Sequence, residues 1–159
     1  MKKEHSSRWR KLDNAAQAFP AATGKKDTRV FRFYCQLKED VQPEILQKAL
    51  EQTMKRYPVF SMVLRKGLFW FYLEQRDLSA KVEEEKRPPC SEIYVPDHKT
   101  LLFQVSYYKR RINFEVFHAL TDGTGAMLFL KELVSHYLIL RHPKETFSKV
   151  SEDMLTETD

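Results

Sequence analysis

Cysteine and glycine are scarce in this chain, and long apolar runs are missing from it. The 159 residues include only 2 cysteines, Cys35 and Cys90, without a Cys-x-x-Cys spacing, which disfavours a zinc site or a disulfide framework and favours reduced thiols. The longest strongly apolar stretch, residues 68–73, is far shorter than the roughly 20 residues that span a bilayer. The basic N-terminus has no apolar run behind it, which is not the pattern of a secretory signal. The sequence therefore predicts a cytoplasmic protein without a membrane span.

The composition is that of one folded domain rich in aromatic residues. Hydrophobic residues make up 42% of the chain and charged residues 31%, which is too apolar for a disordered chain. The 11 Phe and 7 Tyr favour a β-sheet over a purely helical bundle. The net charge of +5 arises mainly from basic residues among the first 32. These can lie on a solvated surface, or they can meet the phosphates of nucleic acid or of a nucleotide-bearing cofactor.

Hydrophobic periodicity predicts the order of helices and strands. One alternating segment predicts a strand, and two pairs of apolar runs around short basic turns predict two hairpins. The predicted strands cover residues 28–37, 59–64, 68–75, 101–108 and 112–117. Apolar residues three and four apart predict one helix from Pro43 to before Pro58, and another after residue 123 that ends before Pro143.

This order predicts an α/β two-layer sandwich, in which helices cover one face of a mostly antiparallel or mixed sheet. Residues 1–27 read as a polar lead-in with Trp9, Leu12 and Phe19 as possible anchors, and residues 76–100 as a charged surface excursion. The domain is expected to cover residues 1–143. Residues 144–159 are interpreted as a polar acidic tail or linker.

One segment has the residue types that acid–base chemistry requires. Residues 118–123 read HALTDG and join the end of an apolar strand to the start of an amphipathic helix. A histidine at a strand end is held rigidly, and imidazole can take a proton from a hydroxyl, amine or thiol near neutral pH. Asp122 can orient the loop through a charge pair or cap the helix. The structural alternative is a partly buried His118 with Asp122 as a simple helix cap.

The segment resembles the HxxxDG signature of the chloramphenicol acetyltransferase-like superfamily, which includes alcohol acyltransferases and condensation domains of peptide synthetases. Two further stretches resemble the bacterial alcohol acetyltransferase-like branch, namely WRKLDNAA at 9–16 with Phe19-Pro20, and RYPVF at 56–60 leading into RKGLFW at 65–70. The resemblance spans roughly residues 8–142.

The resemblance implies an acyltransferase that moves an acyl group from acyl-CoA, such as acetyl-CoA, to an alcohol, amine or thiol. His118 corresponds to the general base of the family, and Asp122 to its structural aspartate, which usually pairs with an arginine. Gly123 corresponds to the glycine that keeps the active-site channel open. No metal is implied, and the residues that bind acyl-CoA stay unassigned.

The chain departs from the condensation-domain pattern at two places. Phe117 stands where those domains commonly carry a first histidine of a pair. The arginine that pairs with the motif aspartate falls near Ser61, so Arg65, four residues on, is the candidate partner.

Length is the larger departure, because family members mostly consist of two similar lobes. This chain corresponds to the N-terminal lobe, and the resemblance implies a second lobe or self-association as its partner beside a small-molecule acceptor. We therefore expect the isolated chain to be an incomplete or inactive enzyme.

Three other functions compete with this interpretation. The first is a non-catalytic interaction or regulatory lobe of the same fold. The second is a basic nucleic-acid binder, which requires the N-terminal Lys and Arg residues to form one patch beside exposed aromatics. The third is a metal site, which is disfavoured because His118 and Asp122 have no third ligand near them in sequence, and His98 and His136 are distant.

Overall fold

The protein is described by a computed structural model that covers residues 9–12, 16–24 and 27–144. Seven strands and three helices occur in these residues, with a short 3₁₀ turn at Pro58–Ser61. The strands are β1 (Trp9–Lys11), β2 (Val30–Gln36), β3 (Met62–Lys66), β4 (Phe71–Gln75), β5 (Val82–Glu84), β6 (Phe103–Tyr108) and β7 (Arg111–Phe117). The helices are α1 (Ala18–Ala22), α2 (Pro43–Arg56) and α3 (Gly123–Arg141).

The main sheet has four strands in the order β2-β7-β6-β5. Strand β7 pairs antiparallel with β2 on one side and with β6 on the other, while β5 runs parallel to β6 at the edge. The predicted first strand and the predicted second hairpin are therefore confirmed. Their alternating residues place Phe33, Phe114 and Val105 in one row across the sheet, on the face that the helices cover.

Helices α2 and α3 pack side by side on this face, as the two predicted amphipathic stripes require. Four phenylalanines form the centre of the core, with Phe60 and Phe129 rings 4.2 Å apart and Phe114 stacked on Phe129 at 4.9 Å. Phe103 completes the cluster. Aromatic pairs at such distances stabilise a core beyond the area they bury. The predicted fold class, an α/β two-layer sandwich with a mixed sheet, is confirmed.

The segment 76–100 contributes more to the fold than a surface excursion. Strand β5 docks on α2 because the Gln47 side chain bonds its flank twice, donating to the Ala80 carbonyl at 3.0 Å and accepting from the Val82 amide at 2.9 Å. Farther on, Tyr94 is buried and stacks on Phe117 at 5.2 Å. The interpretation as a surface excursion holds for most of the segment, whose residues are largely exposed. It missed β5 and Tyr94, because these contacts to distant residues have no local sequence signal.

A buried charge cluster lies on the sheet face opposite the helices. Arg32 pairs with Glu85 at 2.6 Å and with Glu115 at 3.1 Å, and Arg111 pairs with Glu85 at 2.8 Å. Burial alone would raise the pKa of Glu85, but the hydrogen bonds from Arg32 and Arg111 outweigh it and hold this pKa below its ordinary value. The cluster therefore joins β2, β7 and the segment after β5.

A second, three-stranded antiparallel sheet has the order β1-β4-β3. Strands β3 and β4 form the predicted first hairpin. Its bounds were wrong at two places, because residues 59–61 belong to the 3₁₀ turn and residues 68–70 to the hairpin turn. Strand β1 pairs with β4, and Gln17 bonds Phe71 twice, donating to its carbonyl at 2.7 Å and accepting from its amide at 2.8 Å. The described part of residues 1–27 is thus an integral part of the fold and not only a polar lead-in. The anchors Leu12 and Phe19 are confirmed, since both pack in or against the core, whereas Trp9 is exposed.

The expected tail falls almost entirely at residues 145–159, outside the described residues. Among the residues described, none of the helices combines the length and the apolar character needed to cross a bilayer.

The charge cluster predicts an acid-dependent stability. A carboxylate whose pKa is lowered in the folded state stabilises the fold above its unfolded pKa, and this contribution disappears as the pH falls through the folded pKa. We therefore expect the free energy of unfolding to fall on acidification below the ordinary carboxyl value of 4.5. The variant Glu85→Gln should be less stable at neutral pH and should lose less stability on acidification, as measured by urea denaturation.

The exposed neighbour Glu84 supplies the matched control, since Glu84→Gln should follow the wild-type pH profile. Identical pH profiles for Glu85→Gln and wild type would contradict this role for the cluster.

Candidate functional site

His118 is the first residue beyond the buried end of β7. All residues of β7 except the first are buried, and His118 itself is exposed. Its amide donates to the carbonyl of Arg29 at 2.9 Å, which extends the β2–β7 ladder by one bond. The chain then turns sharply, with the Leu120 amide bonded to the Phe117 carbonyl at 2.9 Å. The backbone of His118 is therefore fixed by the sheet, while its side chain leaves the core.

Two phenylalanine rings orient the imidazole of His118. Phe19 from α1 stacks on it with ring centroids 5.1 Å apart, and Phe31 from β2 approaches at 4.5 Å. Within the described residues the imidazole makes no hydrogen bond. Both ring nitrogens can thus accept or donate a proton to a bound molecule.

His118 lines an open cavity of about 860 Å³. Its walls come from β1 and the segment after it, from β4, and from the turn before α3. The other lining residues are Arg10, Lys11, Leu12, Ala16, Phe19, Leu73, Ala119, Leu120, Thr121 and Asp122. The volume lies within the usual range of small-molecule sites, and the lining combines apolar side chains with two cations.

Asp122 caps helix α3. Its Oδ1 accepts a hydrogen bond from the Gly125 amide at 2.8 Å, which satisfies one of the free amides of the first turn. No arginine of the described residues forms an ion pair with Asp122, and the candidate Arg65 lies 3.6 Å from Glu74. Of the two roles that the sequence left open for Asp122, a charge pair or a helix cap, the structure shows the helix cap.

The two glycines of the turn differ in their surroundings. A Cβ at Gly123 would lie 3.9 Å from the Phe33 ring, which is an ordinary contact at the interface between helix and sheet. A Cβ at Gly125 would lie only 2.1 Å from the Thr121 hydroxyl oxygen, so a side chain there would force the hydroxyl to move. Gly123 is not among the residues that line the cavity. The sharper steric requirement is therefore at Gly125.

Sequence reasoning missed how Arg10, Lys11, Phe19 and His118 come together. The basic N-terminal residues and the anchor role of Phe19 were visible, but the pairing of β1 with β4 that brings them to His118 was not.

The two cysteines lie outside this cavity, and burial raises the pKa of both Cys35 and Cys90.

The other described histidines lie outside the cavity. The His136 ring shares a hydrogen bond with the buried Thr53 hydroxyl at 2.9 Å and lies 3.3 Å from Glu132. It thus joins α3 to α2. The described residues contain no cluster of three or more potential metal ligands.

Solved structures that share this fold include a condensation domain of a synthetase. No family model matches the chain, and no curated protein matches it in sequence. The starter condensation domain of rhizomide synthetase RzmA superposes with a TM-score of 0.70 at 12% identity, over 89% of this chain and 40% of that one. Polyketide synthase associated protein 5 from Mycobacterium tuberculosis superposes with a TM-score of 0.63 at 18% identity, over 88% and 36%.

A mutant of the RzmA domain in complex with C8-CoA superposes with a TM-score of 0.65 at 15% identity, over 86% of this chain and 37% of that one. The chain thus spans about two fifths or less of these structures. It shares their fold.

The cap predicts different outcomes for two alanine substitutions. Asp122→Ala should lower the free energy of unfolding by about 1 kcal/mol, because the Gly125 amide loses its partner. His118→Ala should change stability less, since the imidazole is exposed and makes only ring contacts. Urea denaturation of both variants measures the difference.

Asp122→Asn is the matched control, because an asparagine oxygen can accept the same bond and should preserve most of the stability. Equal unfolding free energies for wild type and Asp122→Ala would exclude the structural role.

Proposed function

We propose that residues 1–143 are the N-terminal lobe of an acyltransferase that moves an acyl group from acyl-CoA to an alcohol, amine or thiol, with His118 as the general base. The observation that carries this proposal is the placement of His118. It stands at the end of the central strand and faces an open cavity, with both ring nitrogens free of partners among the described residues. A histidine that served packing alone would be enclosed by the core.

The proposed acyl transfer requires a general base that is held in a fixed position beside the acceptor. His118 takes the proton from the acceptor hydroxyl, amine or thiol, which then attacks the carbonyl carbon of the thioester. The carbon–sulfur bond breaks, and the CoA thiolate leaves and takes the proton back from the imidazolium. Stacking on Phe19 and the tilted contact with Phe31 restrict the orientation of the ring, which supports the positioning that such a transfer requires.

The cavity lining fits the two halves of an acyl-CoA. Leu12, Phe19 and Leu73 offer an apolar wall for an acyl or pantetheine chain, while Arg10 and Lys11 offer positive charge for phosphate groups. The structure in complex with C8-CoA among those of the same fold agrees with this class of donor. Asp122 and Gly123 act in the proposal by shaping the turn after the base.

Binding of the donor tests the site directly. Addition of octanoyl-CoA to the chain should shift the NMR signals of the His118 ring, which His118→Ala identifies by removing them. His98→Ala is the matched control, because His98 is exposed outside this cavity and its loss should leave the shifts unchanged. A His118 ring that does not respond to saturating octanoyl-CoA would contradict the proposed site.

Turnover tests the lobe assignment. We expect the isolated chain, as a monomer, to release little or no CoA from acetyl-CoA or octanoyl-CoA with simple alcohols, because donors for the developing oxyanion would come from a facing lobe or a neighbouring subunit. The measurement is thiol release at a molecular mass determined in solution.

Donor binding without turnover supports the lobe assignment. Rapid turnover by a monomer, lost in His118→Ala, would support the transferase but contradict the assignment to a single lobe. Neither binding nor turnover would contradict the proposed function and favour a non-catalytic interaction lobe.

A further inference from the structure

The tip of the β3–β4 hairpin exposes three consecutive apolar side chains. Leu68 is 91% exposed, Phe69 84% and Trp70 50%. The Gly67 amide bonds the Trp70 carbonyl at 2.8 Å, so the turn is closed and holds these side chains outward. Soluble chains expose single apolar residues commonly, whereas a contiguous exposed group marks a surface that meets something apolar.

The sheet next to the tip extends this surface. Trp9 of β1 is 68% exposed, and its register partner on β4 is Glu74, two residues from Tyr72 on the same face. Trp9, Trp70 and Tyr72 together with Glu74 line a shallow cavity of about 320 Å³. We call Trp9, residues 68–70 and Tyr72 the aromatic tip.

Positive charge surrounds the aromatic tip. Lys11 lies over the Trp70 ring at 5.6 Å, Lys66 is exposed beside the turn, and Arg65 belongs to the neighbouring strand β3. The one acidic residue of these three strands, Glu74, is already compensated, with Arg76 at 2.9 Å and Arg65 at 3.6 Å. The surface that would meet a partner is therefore apolar at its tip and cationic at its rim.

This combination of chemistry fits a bilayer surface with anionic headgroups. Trp and Tyr rings are favoured at the boundary between headgroups and acyl chains, and Leu and Phe gain free energy by entering the acyl region. Lys and Arg beside them are attracted by anionic headgroups and can reach them while their stems stay apolar. Another protein chain with an apolar patch would match the tip, but it would not use the cationic rim unless it were acidic.

We infer that the aromatic tip docks this chain onto anionic lipid membranes, with Leu68 and Phe69 inserted and the basic rim at the headgroups. This surface requires no membrane-spanning segment. Its inserted side chains, Leu68 and Phe69, do not line the His118 cavity, although Lys11 of the rim does.

Cosedimentation of the full chain with vesicles tests the inference. Vesicles of phosphatidylcholine mixed with phosphatidylserine should bind the chain, and vesicles of phosphatidylcholine alone should bind it less. On binding, tryptophan emission should shift to shorter wavelength, since Trp70 and Trp9 are the only two tryptophans. The double variant Leu68→Ser/Phe69→Ser should weaken binding to the mixed vesicles by about tenfold or more.

Matched variants distinguish insertion of the aromatic tip from non-specific binding to vesicles. Leu128→Ser/Ile139→Ser removes two exposed apolar side chains of α3 and should bind as wild type does. Lys66→Glu should reduce the preference for phosphatidylserine, whereas Lys131→Glu on α3 should not. All four positions are exposed, and circular dichroism verifies that each variant is folded.

Three results would overturn the inference. The first is no binding to the mixed vesicles. The second is equal binding by wild type and Leu68→Ser/Phe69→Ser. The third is a dimer in solution that Leu68→Ser/Phe69→Ser dissociates and that binds no vesicle, which would assign the aromatic tip to a second copy of this chain.

Discussion

The double-sided burial of strand β7 is the constraint on which the rest of the structure depends. Partners on both edges fix its register, with β2 on one side and β6 on the other. Phe114 and Val116 point to the helices, while Glu115 meets Arg32 on the opposite face. The register of β7 is therefore fixed by the two neighbouring strands and by the packing on its two faces. A shift of one residue would move apolar side chains into the charge cluster. The position of His118 is set by this fit.

The two layers against β7 stabilise it by different means. The phenylalanine cluster on the helix face is non-directional and depends on close packing. The opposite face depends on directed ion pairs, in which Arg32 satisfies two carboxylates that would be costly to bury alone. Neither the phenylalanine cluster nor the ion pairs cover the end of β7 at His118, which stays exposed. The cavity is completed by β1 and α1, which Gln17 holds to β4 through Phe71.

The sequence predicted those parts of the molecule that have a local pattern. The helix α3 was foreseen from its stripe, and Ala126, Leu133 and Tyr137 are indeed buried. The strands β1 and β5 were missed because three residues are too few for a periodic signal, and because the strands that they pair with are distant in sequence. His118 and Asp122 were identified from their spacing. Phe19 could not be placed against His118, since that contact depends on long-range pairing.

The central claim is that His118 faces a cavity that receives an acyl thioester. It is tested most directly by a crystal structure of the chain with a non-hydrolysable thioether analogue of octanoyl-CoA. We expect the sulfur end of the analogue beside the His118 imidazole, the acyl chain against Leu12 and Leu73, and the phosphates toward Arg10 and Lys11. An analogue bound elsewhere, or a His118 ring enclosed by the core with no space beside it, would contradict the claim.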